Sequence, residues 1–520
     1  MKLLIKPVLA AIAGALLTLT LAPFDYWPLG LIALALFAGL LASETDWGGR
    51  HKPLSGRRAF WLAFAAGIGL FGTGATWVYV SITGFGGASP ALGVLLSGLF
   101  VLILAAMLAT PYYLLGRWFS ATPLAFLLAF PACWFLGEWL RSWLFSGFPW
   151  LFSGYAHLDT PLAGWAPLAS VFGIGFILAF SAAALALAVH WLRQRDYRQP
   201  AIALAAAAVL WIGGAALKQV DWTEATGEPV SIGLVQANIP QEKKWLPEFR
   251  GETIRRYGTA TETLLAQDVD LVVWPEVALP MLFSQSKTLT QQLQKMAEEK
   301  NADIISGILF DRIEDGRRII HNSAAVFGRT PHVYHKRQLV PFGEYVPLED
   351  ILRGLIEFFN LPTSFIRPGP EGQAPLRAAG IDWGTYICYE IVYPDLVAAS
   401  AANTDALLTI SNDAWFGSSI GPLQHMQMAR MRALETGRNL VRATNTGLTA
   451  FVDYRGNVVA ELPQFEQHTL VASIEGRRGI TPFMATGSTL LLGLALAFLA
   501  LARGASVRRA TMQAPLRNPA

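Results

Sequence analysis

Long apolar stretches constrain this chain more than any other feature of its sequence. An α-helix needs about 20 mostly apolar residues to cross a bilayer. Seven such stretches precede residue 218, and an eighth lies near the end of the chain: residues 8–23, 27–43, 59–80, 91–115, 123–140, 166–190, 200–217 and 482–502. Hydrophobic residues make up 53% of the chain and charged residues 15%, which is typical of a membrane protein. The sequence therefore predicts a multispan membrane domain with about eight transmembrane helices.

Lysine and arginine are distributed unevenly among the loops between these stretches. Every second loop along the chain is rich in lysine or arginine, whereas the loops between them contain little beyond Arg141. Because basic loops remain in the cytoplasm, we expect both termini to be cytoplasmic and the polar region 218–480 to lie on the opposite face. In a Gram-negative cell this makes a multi-pass inner-membrane protein with a periplasmic domain. Lys2 and Lys6 precede the first stretch as in a signal peptide, but the second stretch follows at once, so we expect the first to be retained.

The polar region alternates short β-branched runs with longer amphipathic stretches, which indicates an α/β domain with mixed sheets. The predicted strands are 230–236, 271–274, 304–308, 385–387 and 406–410, the helices are 247–266, 287–300 and 422–438, and the hairpins pair 319–327 with 333–339 and 448–454 with 458–462. The predicted organisation is a membrane domain over 1–217, a catalytic domain over 218–480, an eighth span over 481–503 and a cytoplasmic tail over 504–520. The net charge of +3 and the absence of any long block of like charge give no indication of nucleic-acid binding.

Cys388 is the only cysteine of the polar region, and the other cysteine, Cys133, lies in an apolar stretch. No disulfide can therefore form within the polar region. Free thiols without a function are uncommon in oxidising compartments. The presence of Cys388 in a periplasmic domain therefore favours a chemical role for its thiol. The alternative is a small buried side chain on a strand.

Three predicted strand ends carry residues that could cooperate with this thiol. Glu276 follows the strand at 271–274, Lys336 lies at a strand, and Cys388 stands where the strand at 385–387 stops. A neutral thiol is a weak nucleophile, so acyl transfer would need Glu276 as a base. Lys336 would favour the thiolate and stabilise the oxyanion, with the backbone N–H of Tyr389 as a second donor.

These motifs resemble the carbon-nitrogen hydrolase, or nitrilase, superfamily, and within it the membrane branch formed by the apolipoprotein N-acyltransferases. The matching segments are Trp-Pro-Glu at 274–276, His-Lys-Arg-Gln-Leu-Val-Pro-Phe-Gly-Glu-Tyr-Val-Pro at 335–347 and Ile-Cys-Tyr-Glu at 387–390. The number of spans and the position of the polar region also match, so the resemblance covers essentially the whole chain. It implies that the polar region folds as an α-β-β-α sandwich.

The resemblance implies a two-step transfer of an acyl chain. Cys388 would take the chain from the sn-1 position of a phospholipid, typically phosphatidylethanolamine, and the α-amino group of a diacylglyceryl-modified apolipoprotein would then attack the thioester. Glu276 would be the base, Lys336 the oxyanion stabiliser and Glu344 the residue that orients Lys336. Tyr389 and Glu390 would support the nucleophile, and Trp245 would contact substrate. No cofactor or metal is implied, and we expect a monomer.

Several alternatives remain open from the sequence. The apolar segment 348–366 is either a lid that touches lipid or a helix in the core. Trp415 and Phe416 form a second candidate arm for contact with lipid. His321, His332 and His335 lack the spacing of a zinc site, and a hairpin would splay them apart. Glu138 and Arg141, at the end of the fifth stretch, are predicted to form a structural pair rather than a headgroup site. Trp150 is predicted to be an interfacial anchor.

Two other functions compete with acyl transfer. A membrane-tethered amidase or nitrilase acting on a small soluble amide could use the same three residues, although seven spans exceed what a tether requires. A non-enzymatic transporter or scaffold would need no reactive thiol at all.

Overall fold

The computed structural model describes residues 2–45, 47, 54–341, 343–345 and 366–512. The chain forms two compact units. The first comprises Met1–Thr76, Ala91–Val220 and Thr486–Ala520, and the second comprises Trp77–Pro90 and Asp221–Ala485. The predicted lid at 348–366 lies outside the described residues except for Ile366, which is buried and forms an isolated β-bridge with Ile320.

The first unit is helical. Its helices are Lys2–Thr18, Pro28–Ala42, Gly56–Gly74, Pro90–Trp118, Pro123–Trp143, Ala166–Arg193, Arg198–Leu217 and Thr489–Met512. Each predicted apolar stretch overlaps one of them. Among the residues that the structure describes, five helical segments are long and apolar enough to cross a membrane, or six if the broken pair Gly56–Gly74 and Trp77–Phe85 forms one span. The helices Ile5–Thr18 and Pro28–Ala42 are apolar but shorter. A membrane unit is therefore confirmed, whereas the count of eight spans stays a prediction.

Close helix packing in this unit depends on glycine. A Cβ atom at Gly14 would overlap the backbone of Ala66, and one at Gly69 would overlap the backbone of Ala11. The helices Lys2–Thr18 and Gly56–Gly74 can approach this closely only because both positions lack a side chain, as is common where membrane helices meet.

Glu138 and Arg141 bind the helix Pro123–Trp143 to the loop that follows it. Glu138 Oε1 accepts hydrogen bonds from the backbone N–H of Ser153 at 2.7 Å and from its hydroxyl at 3.0 Å, and Arg141 Nη1 donates to the carbonyl of Trp150 at 2.9 Å. Both charged side chains are fully buried. Trp150 is also fully buried and stacks on Phe148, so the prediction of an interfacial anchor is wrong.

The second unit contains thirteen strands in the described residues, arranged in two sheets. The strands are β1 (Glu224–Gln236), β2 (Leu271–Val273), β3 (Leu279–Leu282), β4 (Asp303–Glu314), β5 (Arg317–Phe327), β6 (His332–His335), β7 (Leu376–Ala378), β8 (Ile381–Ile387), β9 (Ala406–Ser411), β10 (Leu440–Thr444), β11 (Ala450–Val452), β12 (Val458–Glu461) and β13 (His468–Arg478). One sheet has the order β13-β1-β2-β4-β5-β6, with β3 beside β4, and the other has the order β12-β11-β10-β9-β8-β7. Both sheets mix parallel and antiparallel pairs, as predicted.

The two sheets enclose one apolar core. Leu234 and Val273 of the first sheet and Trp383 and Leu408 of the second belong to the same buried cluster. The opposite face of the first sheet packs on the helices Arg250–Leu265 and Lys287–Glu299 through a second cluster. The unit also contains the helices Trp77–Val80, Pro394–Ala401, Gly421–Thr436 and Pro482–Thr486. The predicted α/β domain is confirmed.

Strand and helix boundaries follow the local sequence. The helix Gly421–Thr436 ends at Gly437, whose φ of 61° is the left-handed conformation that favours glycine after a helix. The two predicted hairpins form between β5 and β6 and between β11 and β12. Strand β6 ends at His335 rather than at residue 339, and β3, β7, β10 and β13 were not predicted. These strands lack the strong alternating pattern that identifies a strand from sequence.

Candidate active site

Cys388 begins a sharp turn at the carboxyl end of β8. The strand ends at Ile387, and a 3-10 helix runs over Cys388–Val392. The φ of Cys388 is 53°, a left-handed conformation that is costly for a residue other than glycine. The side chain is partly exposed and packs against the core between the sheets. A strained strand-to-helix turn of this kind presents a side chain out of the sheet edge.

Burial raises the pKa of the Cys388 thiol, and the neighbouring Glu276 carboxylate raises it further. Lys336 and the Ser411 hydroxyl act in the opposite direction without reversing the shift. The resting thiol is therefore protonated, and a nucleophilic role would require a base to remove its proton.

Glu276 follows β2 and is held by donors from both sheets. Its Oε1 accepts a hydrogen bond from Asn322 Nδ2 at 2.7 Å, and its Oε2 accepts one from the backbone N–H of Asn412 at 2.8 Å. The residue is 6% exposed. Each oxygen thus has a fixed partner, which holds the carboxylate in one orientation.

Lys336 directly follows β6 and lies between two carboxylates. Its Nζ is 3.5 Å from Glu276 Oε1 and 2.9 Å from Glu344 Oε2. Burial alone would lower the pKa of Lys336, but the charges of Glu344 and Glu276 outweigh it and raise the pKa. The ammonium is therefore charged, and it interacts electrostatically with the thiol as well as with both acids.

Glu390 ties the Cys388 turn to the segment that carries Lys336. Its Oε1 accepts from the Tyr334 hydroxyl at 2.9 Å and from the backbone N–H of Arg337 at 2.7 Å. Its Oε2 accepts from the backbone N–H of Ile387 at 2.8 Å. Burial raises the pKa of Glu390, and these backbone donors oppose the rise. The residue has no exposed surface, so it supports both turns rather than contacting a substrate.

Two residues near the predicted site were not predicted from the sequence. Asn322, on β5, donates from Nδ2 to Glu276 and also to Glu344 Oε1 at 2.9 Å. Lys244, 4% exposed, donates from Nζ to the carbonyl of Glu276 at 3.3 Å. Burial lowers the pKa of Lys244 to about 8, although the Glu276 charge raises it. Neither residue falls in a motif, and only the sheet pairing and the loop path bring them to Glu276.

The other two predicted residues flank this cluster. Trp245 is 43% exposed in the turn that also carries Lys244. Tyr389 follows Cys388 in the 3-10 helix, and its ring packs edge-on against Tyr393 at 5.3 Å between centroids. The structure thus brings Glu276, Lys336, Glu344 and Cys388 together.

Trp415 and Phe416 lie in a 3-10 helix, Asp413–Phe416, that follows β9. The carbonyl of Trp415 accepts a hydrogen bond from the Ser81 hydroxyl at 2.7 Å. Phe416 packs edge-on against Trp77 at 4.8 Å between ring centroids. The candidate arm is therefore held by the segment Trp77–Pro90, which belongs to the same compact unit.

The histidines near β5 and β6 are closer than predicted. The rings of His321 and His335 are 4.5 Å apart, so the expectation that a hairpin would splay this pair is wrong. Burial and the neighbouring His321 lower the pKa of His335 to about 4, so its ring is neutral at neutral pH. Within the part of the chain that the structure describes, no group of three or more metal-ligating side chains is found.

This fold and this cluster of Glu, Lys and Cys define a carbon-nitrogen hydrolase domain attached to a membrane unit. The family model described as carbon-nitrogen hydrolase matches residues 231–479. The model described as the apolipoprotein N-acyltransferase N-terminal domain matches residues 13–184. The chain belongs to the apolipoprotein N-acyltransferase family, because relatives with that name match it over nearly its whole length.

Two of these relatives illustrate the match. The apolipoprotein N-acyltransferase of Pseudomonas putida is 44% identical over 502 residues, which cover 94% of this chain and 96% of that protein. The apolipoprotein N-acyltransferase of Azotobacter vinelandii is 44% identical over 515 residues, which cover 98% of this chain and 96% of that protein. Among solved structures, the carbon-nitrogen hydrolase from Helicobacter pylori G27 is similar at 18% identity and a TM-score of 0.36, and the match covers 48% of this chain and 89% of that chain.

Proposed function

We propose that this protein transfers an acyl chain from a membrane phospholipid to the N-terminal α-amino group of diacylglyceryl-modified apolipoproteins, through a thioester on Cys388. The observation that carries the proposal is the contact of buried Lys336 with Glu276, beside a thiol whose own proton is tightly held. Family membership over the whole chain supports acyl transfer rather than hydrolysis of a soluble amide. The proposed donor position is sn-1, typically of phosphatidylethanolamine.

In the first step, Glu276 takes the proton of Cys388 as the sulfur attacks the sn-1 ester carbonyl. The new C–S bond forms a tetrahedral intermediate, and its oxyanion is stabilised by the Lys336 ammonium and by the backbone N–H of Tyr389. When the intermediate collapses, the C–O bond to the glycerol breaks, and the leaving alkoxide receives the proton from Glu276. The products are lysophospholipid and the Cys388 thioester.

In the second step, the α-amino group of the apolipoprotein attacks the thioester carbonyl. Glu276 accepts a proton from this nitrogen, and the same donors stabilise the second oxyanion. The C–S bond then breaks, and the proton returns to the sulfur. The amide product leaves, and the protonated thiol is restored.

The supporting residues act through these three. Glu344 holds the Lys336 ammonium at 2.9 Å, and Glu390 fixes the turn that presents Cys388. Trp245 is exposed next to Lys244, which contacts the Glu276 carbonyl, and we assign it a substrate contact.

The proposed membrane arrangement has eight spans, with the domain 218–480 in the periplasm and both termini, including a tail over 504–520, in the cytoplasm of a Gram-negative inner membrane. Eight helices overlapping the apolar stretches support it, as does the concentration of basic residues in alternate loops. Both substrates are anchored in the same bilayer, so a monomer at its surface meets reactants that are already concentrated and oriented.

The test is intact-mass analysis of purified protein incubated with phospholipid alone. One added acyl chain is expected on the parent protein, and none is expected on the Cys388→Ala variant. Addition of a diacylglyceryl-modified peptide should discharge the adduct and acylate the peptide. An adduct that persists in Cys388→Ala, or free fatty acid as the main product in the presence of the peptide, would contradict the proposal.

A further inference from the structure

A chain of three buried polar side chains ends at the backbone of Cys388. Arg442 Nη2 contacts Asp413 Oδ2 at 2.7 Å and His425 Nδ1 at 3.1 Å. His425 Nε2 in turn lies 3.2 Å from the carbonyl oxygen of Cys388. None of the three side chains has appreciable exposure, and they come from β10, from the 3-10 helix after β9 and from the helix Gly421–Thr436. We call these three residues the Asp413 network.

The contacts of His425 determine which of its nitrogens carries a proton. A carbonyl oxygen only accepts hydrogen bonds, so the Nε2 facing Cys388 must carry a hydrogen. Burial and the Arg442 charge lower the pKa of His425, which favours the neutral ring. His425 Nδ1 faces Arg442 Nη2 at 3.1 Å and Asp413 Oδ1 at 3.1 Å, and in the neutral ring with hydrogen on Nε2 it accepts from Arg442. His425 therefore donates to the Cys388 carbonyl through Nε2.

The network also reaches the side-chain end of Cys388. The Ser411 hydroxyl donates to Asp413 Oδ1 at 2.7 Å, and it lowers the pKa of the neighbouring Cys388 thiol. Cys388 thus meets the network at its carbonyl, through His425, and beside its side chain, through Ser411. Gly447 makes room for this arrangement, because a Cβ atom there would overlap the Asp413 carboxylate.

A purely structural role would not require this geometry. Burying an ion pair is costly, and an apolar trio of similar volume could fill the same space at no loss of stability. The network instead meets the one residue of the turn that is held at a φ of 53°, directly through His425 and indirectly through Asp413 and Ser411. A strained backbone persists only where its surroundings over-determine it, and the hydrogen bond to the Cys388 carbonyl supplies such a constraint.

We propose that Asp413, His425 and Arg442 are positioning residues that hold the strained Cys388 turn, and thereby the sulfur, in line for attack on the acyl carbonyl. This inference rests on the proposed function, because it assigns the network to the acyl-accepting thiol. The three residues touch no reacting atom, so they act only through Cys388 and Ser411. A misplacement of about 1 Å at a reacting centre can cost about 100-fold in rate.

The test compares two amide substitutions of His425. The side-chain nitrogen of glutamine reaches the position of Nε2, whereas asparagine reaches only the position of Nδ1, so His425→Gln retains the donor to Cys388 and His425→Asn loses it. With saturating phosphatidylethanolamine vesicles, His425→Asn should form the Cys388 acyl adduct about 10- to 100-fold more slowly than the parent. His425→Gln should recover most of the rate. The phospholipid concentration for half-maximal rate should not change in either variant.

Thr436→Val is the matched control, because it removes a buried hydrogen bond from the same helix, to the Arg432 carbonyl at 2.8 Å. This control should lose thermal stability without losing the rate of adduct formation. If His425→Asn folds and reacts at the parental rate, or if His425→Gln is as slow as His425→Asn, the positioning role is refuted. If both variants fail to fold, Ser411→Ala decides: slower adduct formation supports the role, and an unchanged rate overturns it.

Alkylation by iodoacetamide separates this inference from the proposed function. The reaction needs only the Cys388 thiol and no acyl donor. Slower alkylation of Cys388 in His425→Asn than in His425→Gln would support the network even if no acyl adduct formed on the parent protein. Equal alkylation rates in the two variants would reject the network, whatever the outcome for acyl transfer.

Discussion

Asn322 offers the sharpest test of how the acidic residues at the site are held. Its single side-chain nitrogen donates to Glu276 Oε1 at 2.7 Å and to Glu344 Oε1 at 2.9 Å. Both carboxylates also contact Lys336, so two acids share one ammonium and one amide. The Asn322→Leu substitution keeps the approximate volume and removes both donated hydrogen bonds.

The expected effect follows from the strength of these two bonds. A hydrogen bond to a charged group contributes about 1.5–3 kcal/mol, and both acceptors here are buried. Lys336 can shift toward the carboxylates and recover part of the lost hydrogen-bond energy, which leaves a net loss of about 3 kcal/mol. Because about 1.4 kcal/mol corresponds to a tenfold change in rate, formation of the Cys388 adduct should slow about 100-fold. The melting temperature should fall as well, because two buried oxygens each lose a donor.

The assay is single-turnover formation of the acyl adduct, followed by intact mass together with thermal unfolding. The matched control is Asn439→Leu, since Asn439 also makes two side-chain hydrogen bonds, to the carbonyl of Glu475 and from the N–H of Tyr454. This control should lose stability and retain the rate. A folded Asn322→Leu protein that reacts as fast as the parent would show that Asn322 does not hold the base.

Further predictions concern the charged groups around the thiol. Lys336→Met should abolish detectable adduct, because it leaves Glu276 and Glu344 facing each other without a cation; an adduct at the parental rate would exclude Lys336 as the oxyanion donor. Lys244→Met should raise the melting temperature below pH 8 and lose this advantage above pH 10.5, since the folded state binds this proton less tightly, with a pKa of about 8 against the usual 10.5. Stability of the parent therefore rises with pH across that window, and a gain that does not depend on pH would contradict this. Glu390→Gln should lower the unfolding free energy by about 1–3 kcal/mol and slow formation of the acyl adduct. The side-chain NH2 group of glutamine would face the backbone N–H of Ile387 or of Arg337, and neither group can accept a hydrogen bond. Unchanged melting of this variant would refute the support assigned to Glu390.

Sequence patterns predicted the parts of the structure that depend on local composition. Apolar length located the eight long helices that the structure describes in the membrane unit, because hydropathy identifies such segments. The short apolar runs before Glu276 and Cys388 predicted that both residues follow strands, and each does. The end of β6 was placed too late, since the chain turns away at Lys336 to insert its side chain between two acids.

The residues that were missed depend on pairing between distant segments. Asn322 lies in the interior of β5, and it reaches Glu276 only because of how β5 is placed in the sheet. The Asp413 network joins three elements whose members are 12 and 17 residues apart, with no shared periodicity. Trp150 was assigned to the membrane interface from its residue type, but the contact between Arg141 and its carbonyl fixes it inside the unit. In each case the contact, rather than the residue type, determines the role.

The electrostatics of the site explain how the Cys388 thiol can be a nucleophile and yet react slowly at rest. Glu276, the proposed base, is itself one of the charges that raise the pKa of Cys388, so a thiolate beside an ionised Glu276 is disfavoured. Proton transfer to Glu276 removes this repulsion at the moment the sulfur becomes anionic. Lys336 remains charged throughout, because Glu344 still holds it after Glu276 is neutralised. Deprotonation and attack are therefore expected to occur together, when an acyl carbonyl is present to take the developing negative charge toward Lys336. The thiol is therefore expected to react fastest with bound substrate, which would suit an unpaired cysteine in the periplasmic location that we propose.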